Sequence, residues 1–67
     1  MKITLNNRPE EIPGEILTIR EIMQYKKFSF HGLVVKINGT LIRKPEYDTS
    51  TVKDGDVVEI IHLISGG

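Results

Sequence analysis

The sequence predicts an α+β fold in which one small sheet carries a single helix on one face. One segment has the signals that begin and end a helix, and several short segments have the alternating or apolar patterns of strands. The length of 67 residues leaves room for one domain, which we take to span residues 1–67. Because one helix covers only one face of a sheet, the other face must meet water or a partner.

The first strand is predicted at residues 2–6, where polar and apolar residues alternate. This alternation is typical of a half-buried strand, and it places Ile3 and Leu5 on the inner face. Asn6 and Asn7 follow, and asparagine is favoured in tight turns because its short side chain can hydrogen-bond to nearby backbone. We therefore expect the chain to reverse at this point.

The helix is predicted at residues 19–27 and begins with a capping box. Thr18 can accept a hydrogen bond from the Glu21 N–H, and the Glu21 carboxylate can reach back to the Thr18 backbone. Apolar residues then recur at helical spacing and form one face that we expect to be buried. The residues of this face are Ile19, Ile22 and Met23.

The remaining strands are predicted from short apolar segments bounded by turn residues. Asn38 and Gly39 are a strong hairpin signal, and residues 53–56 contain an Asp-Gly-Asp turn. We expect residues 44–50 to be irregular. The other predicted strands are an edge segment at 10–13, then 33–37, 40–43 and a central strand at 57–64.

The two faces of the last strand can be assigned from its charged residue. Successive side chains in a strand point to opposite faces, and a charged residue such as Glu59 is expected away from the core. Val58 and Ile60 should then point inward, whereas Ile61 and Leu63 should share the outer face with Glu59. Two exposed apolar residues on one face predict a docking surface for a partner.

Composition excludes several classes of protein. The chain has no Cys, which excludes disulfides, thiolate metal sites and a Cys nucleophile. Nine basic residues balance nine acidic ones, so bulk attraction to nucleic acid is not expected. The longest apolar run, residues 33–35, is far below the roughly 20 residues that a membrane helix needs. Since the N-terminus also lacks the apolar segment of a signal peptide, we expect a cytoplasmic protein with no membrane partner.

No catalytic or metal-binding constellation is recognisable. The serine residues lie outside any nucleophile-elbow pattern, and no glycine-rich phosphate loop precedes a Lys-Ser or Lys-Thr pair. His31 and His62 lack the spacing of metal ligands, and we expect them in a loop and at a strand end. We therefore expect no catalytic residue, no metal and no bound cofactor.

The C-terminal residues suggest a different kind of chemistry. Gly66 and Gly67 follow the most apolar predicted strand after a single residue, Ser65. Two residues without Cβ make a thin, flexible thread that a narrow channel of another protein can admit. We expect residues 65–67 to form such a tail and to present the terminal carboxylate for activation.

Three stretches of the sequence resemble the ThiS family of sulfur carriers of thiamine biosynthesis. They are residues 35–39, residues 52–60 with their Asp-Gly-Asp turn, and residues 63–67 with their Gly-Gly end. The resemblance implies a ubiquitin-like β-grasp fold, with a mixed sheet of four to five strands packed on one helix. Relatives commonly have an aromatic residue, often Trp, where Tyr47 stands, and Ala where Ser65 stands.

The resemblance also implies a role as a protein cosubstrate rather than an enzyme. A ThiF-like adenylating enzyme would use ATP to activate the Gly67 carboxylate, and a persulfide protein would supply sulfur to form a thiocarboxylate. Thiazole synthase would then take the sulfur for the thiazole of thiamine. In this scheme Ser65 and Gly66 thread into the partner, Ile61 and Leu63 dock against it, and the free chain is a monomer.

Two alternatives remain open from the sequence. Sibling carriers with the same Gly-Gly chemistry serve molybdopterin or other thiolated products. A ubiquitin-like binding module without carrier activity, including an RNA-binding one, is the alternative from another class. A terminal Gly66-Gly67 favours the carriers, because a binding module has no use for a bare carboxylate.

Overall fold

The computed structural model describes residues 1–28 and 32–63, which form seven strands, one α-helix and one turn of 3-10 helix. Two tight turns, a capped helix and alternating strand patterns account for most of the elements. In chain order they are β1 (Lys2–Leu5), β2 (Arg8–Glu11), β3 (Ile16–Thr18), α1 (Ile19–Lys26), β4 (Leu33–Ile37), β5 (Thr40–Ile42), the 3-10 helix (Lys44–Glu46), β6 (Thr51–Lys53) and β7 (Val57–His62).

The main sheet has five strands in the order β2-β1-β7-β4-β5, and β7 lies at its centre. Strands β1 and β7 are parallel, and the other neighbours are antiparallel, so the sheet is mixed. Helix α1 packs on one face of this sheet, and no described element covers the other face, which we call the open face. The α+β architecture with a five-stranded mixed sheet is therefore confirmed. The buried apolar side chains of the core are Ile3, Leu5, Ile12, Ile19, Ile22, Met23, Val35, Tyr47, Val52, Val58 and Ile60.

The capping box of α1 forms as the sequence predicts. The Glu21 N–H donates to Thr18 Oγ1 at 3.1 Å, and the Thr18 N–H donates to Glu21 Oε1 at 2.9 Å. These two bonds satisfy backbone donors that a helix start otherwise leaves unpaired. The helix ends at Lys26, one residue earlier than predicted, and its C-cap residue Lys27 adopts a left-handed conformation with φ of 59°.

Two hairpin turns have the backbone that their residues favour. Asn6 and Asn7 have φ of 51° and 67°, and Asn38 and Gly39 have φ of 49° and 83°. Each pair connects antiparallel strands through a two-residue turn, and this turn requires positive φ at both positions. Asparagine and glycine tolerate that conformation better than other residues, so both turns follow from local sequence.

The structure adds elements that the sequence did not predict. Strands β3 and β6 form a separate two-stranded sheet, in which Leu17 lies opposite Val52. The predicted irregular segment contains the 3-10 helix. Strand β2 begins earlier than predicted, at Arg8, but it is an edge strand as expected. Strand β5 ends one residue earlier than predicted, at Ile42, and β7 is described as far as His62.

Candidate functional site

The end of β7 is held in place by β4. His62 lies opposite Leu33, and the Leu63 N–H donates to the Gly32 carbonyl at 2.6 Å. Gly32 has φ of 61°, a conformation that other residues rarely adopt. The pairing therefore extends through Leu63. The predicted tail residues Ser65, Gly66 and Gly67 lie outside the described residues, so their roles stay predictions.

On its other side, β7 is held by the side chain of Asn6. Strand β1 ends at Leu5, opposite Val58, and the Asn6 N–H then donates to the Val58 carbonyl at 3.0 Å. Beyond the end of β1, the side-chain amide of Asn6 makes the hydrogen bonds to β7 that the backbone of a further strand residue would make. Its Oδ1 accepts from the Ile60 N–H at 2.8 Å, and its Nδ2 donates to the Ile60 carbonyl at 3.0 Å. One side chain thus continues the parallel pairing of β7 for two residues beyond β1.

Asn38 performs a similar role at the start of β7. Its backbone N–H donates to the Val57 carbonyl at 2.7 Å, and its Oδ1 accepts from the Val57 N–H at 2.8 Å. The Nδ2 group of the same amide donates to Asp56 Oδ1 at 3.1 Å. Asparagine side chains that project from hairpin turns therefore hold β7 at its first residue, Val57, and at Ile60.

Asp56 is a buried carboxylate at the start of β7, with 6% of its surface exposed. Burial alone would raise the pKa of Asp56, because a charged group loses hydration in the interior. Hydrogen bonds from the Lys53 backbone and the Asn38 amide, with the nearby Lys53 charge, outweigh burial and lower the pKa below 3.8. Asp56 is therefore a structural anion whose charge stabilises the Lys53–Asp56 turn.

The two faces of β7 differ in exposure as the alternation predicts. Val58 and Ile60 are 0% and 2% exposed beneath the helix, whereas Ile61 and Leu63 are 49% and 64% exposed on the open face. The face assignment is therefore confirmed, while the docking role of Ile61 and Leu63 stays a prediction. The neighbouring strands add two apolar residues to the same face, since Val34 lies opposite Ile61 and Leu41 is 53% exposed. We call Val34, Leu41, Ile61 and Leu63 the open-face patch.

His62 is a strand-end residue, as expected. Its side chain lies on the helix side, where its ring meets the Phe28 ring edge-on at a centroid distance of 6.2 Å. Phe28 follows the cap of α1 and is partly buried against the core. The contact gives His62 a packing role, and the other predicted loop histidine, His31, lies outside the described residues.

Metal-binding and membrane-spanning features are both lacking from residues 1–28 and 32–63. No three or more His, Asp or Glu side chains in these two ranges are grouped so that they could hold a metal ion. In the same part of the chain, no helix has both the length and the apolar character needed to cross a membrane.

The side-chain hydrogen bonds that hold β7 are not predictable from the sequence. The sequence predicts Asn6, Asn38 and Asp56 as turn residues, but it does not predict that they support the last strand. The available signal was the choice of asparagine at hairpin positions where glycine would satisfy φ equally well. That choice indicates a use for the amide, but the sequence does not reveal the partner, because Asn6 and Ile60 are 54 residues apart.

Comparisons with known proteins agree with this architecture. A family model described as the ThiS family matches residues 3–67. The sulfur carrier protein ThiS of Thermus thermophilus is 29% identical over 65 residues, which are 97% of this chain and 98% of that protein. An uncharacterised protein of Porphyra purpurea, ycf40, is 28% identical over 67 residues, covering 100% of this chain and 93% of its own length.

Solved structures give the same result. The crystal structure of the thiamine biosynthesis protein ThiS from Geobacter metallireducens superposes with a TM-score of 0.87 at 33% identity, covering 100% of both chains. A solution structure of a thiamine biosynthesis protein from the same organism gives a TM-score of 0.81, covering 100% of this chain and 88% of that one.

Proposed function

The chain belongs to the ThiS family of sulfur carriers in thiamine biosynthesis, and we propose that it carries the sulfur as a thiocarboxylate on Gly67. The observation that carries this proposal is the support of β7 up to Leu63, four residues before Gly67. Asn6 holds one edge of the strand at Ile60, and the Gly32 carbonyl holds the other edge at Leu63. This support of β7 is consistent with the proposed presentation of the last four residues to a partner.

The proposed chemistry needs no catalytic group from this chain. A ThiF-like adenylating enzyme binds ATP, and the Gly67 carboxylate attacks the α-phosphate to form an acyl-adenylate and release pyrophosphate. The terminal sulfur of a persulfide protein then displaces AMP. A thiol then attacks the donor protein's own sulfur in the resulting acyl disulfide, so that a disulfide forms with the donor protein and the thiocarboxylate is released. Thiazole synthase takes the sulfur for the thiazole of thiamine.

The tail must suit a channel that leads to a buried ATP. Gly66 and Gly67 have no side chain, so their backbone can approach other backbone closely and can adopt positive φ. Ser65 is small enough to follow them. These properties support the proposed threading of residues 65–67 into the adenylating enzyme.

Ile61 and Leu63 supply the proposed docking surface beside the tail. They form part of the open-face patch, close to the end of β7, and Lys36 lies opposite Glu59 next to the patch. Apolar side chains surrounded by polar ones are typical of surfaces that bind other proteins. The adenylating enzyme and thiazole synthase are the proposed partners of this surface.

The central test is conversion of the chain to a thiocarboxylate. The purified chain is mixed with a ThiF-like enzyme, ATP and a persulfide donor, and intact mass spectrometry should show one oxygen replaced by sulfur. The Gly66→Val variant should fold normally but should adenylate far more slowly, because a β-branched side chain widens the thread and resists positive φ. Glu15→Ala, at an exposed loop residue, is the matched control and should react at the normal rate.

Failure of the chain to acquire sulfur with several adenylating enzymes would contradict the carrier proposal. Normal adenylation of Gly66→Val would contradict threading alone, because the carboxylate would still be activated. ATP–pyrophosphate exchange separates these two outcomes.

The docking surface is tested with two exposed isoleucines. Ile61→Asp should weaken binding of the adenylating enzyme by about tenfold or more, as expected when an apolar side chain in the core of an interface is replaced by a charged one. Ile16→Asp changes an isoleucine that is 63% exposed in the separate β3–β6 sheet, and binding should not change. Equal effects of the two substitutions would contradict docking through the open face.

A further inference from the structure

Strand β4 extends past the end of β5 and leaves a gap at the sheet edge. Strand β5 pairs with β4 only from Val35 to Ile37, because the chain leaves the sheet at Arg43 and enters the 3-10 helix. Leu33 and Val34 therefore have β7 on one side, and no strand among the described residues lies on their other side.

The backbone of Leu33 faces this gap. The Leu63 N–H donates to the Gly32 carbonyl, which shows that even-numbered residues of this strand direct their polar groups toward β7. Odd-numbered residues direct theirs toward β5, since directions alternate along an antiparallel strand. Val35 and Ile37 use their groups to pair with β5, whereas the backbone N–H and C=O of Leu33 have no hydrogen bond there within residues 1–28 and 32–63.

A groove of about 380 Å³ lies at the gap. Its walls combine apolar side chains with two cationic ones. The residues that matter for its chemistry are Leu33, Val34, Leu41, Ile42, Arg43 and Lys44. Val34 and Leu41 also belong to the open-face patch, so the groove continues the surface proposed for docking.

The groove carries positive charge that the described part of the chain does not neutralise. Arg43 and Lys44 are exposed, and neither has an ion-pair partner within residues 1–28 and 32–63. The nearest carboxylate along the chain, on Glu46, accepts a hydrogen bond from the Arg43 backbone N–H at 3.0 Å. An anionic group in the groove would therefore complement both cations.

We propose that this groove receives an extended, acidic segment of the adenylating enzyme, which pairs with the Leu33 backbone and places a carboxylate against Arg43 and Lys44. The inference rests on the proposed carrier function. An unpaired backbone donor and acceptor on one residue match an extended peptide, which offers the complementary pair. The apolar walls accept its alternate side chains, and the two cations select an acidic residue among them.

The position of the groove explains why the partner that activates the tail should occupy it. Leu33 lies next to Gly32, and Gly32 holds Leu63 at the end of β7. A segment added beside Leu33 would therefore flank β4 on the side opposite β7. The adenylating enzyme would contact both the open-face patch and the outer edge of β4, which fixes the orientation of the carrier relative to the active site.

The first test is amide hydrogen exchange of Leu33, measured by NMR on the free chain and on its complex with the adenylating enzyme and ATP. In the free chain the Leu33 N–H should exchange quickly, while the Val35 N–H, which faces β5, is protected. In the complex we expect Leu33 exchange to slow by about tenfold or more as the N–H becomes paired. Fast exchange of Leu33 in a complex that adenylates Gly67 would overturn the groove proposal and leave the carrier function intact.

Two other outcomes of the hydrogen-exchange experiment would also overturn the groove proposal. Protection of Leu33 that rises with the concentration of the free chain would identify a second copy as the occupant of the edge. If Gly67 is not adenylated, the enzyme is not a partner of this chain. The proposed function would then fail together with the groove proposal.

The second test reverses the charges of Arg43 and Lys44. It compares this variant with a control whose net charge changes by the same amount. The double variant Arg43→Glu with Lys44→Glu should raise the carrier KM in ATP–pyrophosphate exchange by about tenfold, since two favourable pairs become repulsive. The matched control is Lys2→Glu with Arg8→Glu, which alters net charge equally near the opposite edge of the sheet. A similar rise in KM for both double variants would show that net charge, rather than the groove, determines binding.

Discussion

The two ends of β7 have different surroundings. At its start, Asp56 is buried and hydrogen-bonded to Asn38 and Lys53, and strands lie on both sides. At its end, β4 continues to pair on one side, but β1 has stopped and the Asn6 side chain takes its place. Apolar side chains at this end face outward, where Ile61 and Leu63 are exposed.

This difference separates stability from binding within one strand. The start of β7 uses its polar groups for internal hydrogen bonds, which favour a single folded arrangement. Near the end of β7, the Asn6 amide and the β4 backbone hold the strand in place. Apolar side chains are exposed there, as an interaction surface requires. Substitutions at the start should therefore change the free energy of unfolding, and those on the outer face at the end should change binding.

The largest expected effect comes from the inner face. Ile60→Ala removes buried methyl groups and should reduce the free energy of unfolding by about 3 kcal/mol. Ile61→Ala changes the adjacent residue on the exposed face and should cost less than about 1 kcal/mol. Urea denaturation of the two variants measures the difference, and equal losses would contradict the assignment of faces.

The next largest losses of stability are expected at the two asparagines that support β7. Glycine retains the positive φ of each turn, so Asn38→Gly and Asn6→Gly remove only the amide groups. We expect a loss of about 2 kcal/mol for Asn38, whose amide contacts a buried charge, and about 1 kcal/mol for Asn6.

Asn7→Gly is the control for the asparagine variants. Asn7 has the same backbone conformation, but its side chain has no hydrogen-bond partner among the described residues. Its stability should change by less than about 0.5 kcal/mol. Hydrogen exchange adds a local measurement, because only Asn6→Gly should expose the Ile60 N–H, and unchanged Ile60 protection would contradict the role given to Asn6.

An effect between those of Asn38 and Asn6 is expected from neutralising Asp56. The pKa of Asp56 is lower in the folded chain than its ordinary value of 3.8, so its ionised form stabilises the fold above that pH. This contribution should be lost as the pH falls from 3.8 through the lower, folded pKa. Asp56→Asn should cost about 1–2 kcal/mol at neutral pH, because an amide cannot accept all the bonds that the carboxylate accepts.

Denaturation of the wild type and Asp56→Asn as a function of pH tests this directly. The difference in stability between them should shrink below pH 3.8, because the wild-type carboxyl becomes neutral as well. A difference that stays constant to the lowest pH would assign the effect to side-chain shape rather than charge.

The smallest effect on stability is expected at the tail. Deletion of Gly66 and Gly67 removes no side chain, so the melting temperature should stay within about 2 °C of the full chain. Sulfur transfer should be lost completely, since the modified carboxylate is gone. A large drop in melting temperature would mean that these residues support the fold.

The local features of this protein are predictable from its sequence. The capping box of Thr18 and Glu21, the turns at Asn6-Asn7 and Asn38-Gly39, and the inner and outer faces of β7 all follow from residues within a few positions of each other. Each depends on backbone preference or on alternation, and both are visible in a short window. The resemblance of the second half of the chain to ThiS then indicated the family and the fold.

Contacts between residues that are distant in sequence depend on how the whole chain packs. The β3–β6 sheet joins three-residue strands about 35 positions apart, too short for a pattern to reveal. The bonds between Asn6 and Ile60, the burial of Asp56 and the open edge at Leu33 also depend on where other strands begin and end. A short window records the conformation that each residue prefers, but pairing between distant segments is fixed only when the whole core packs.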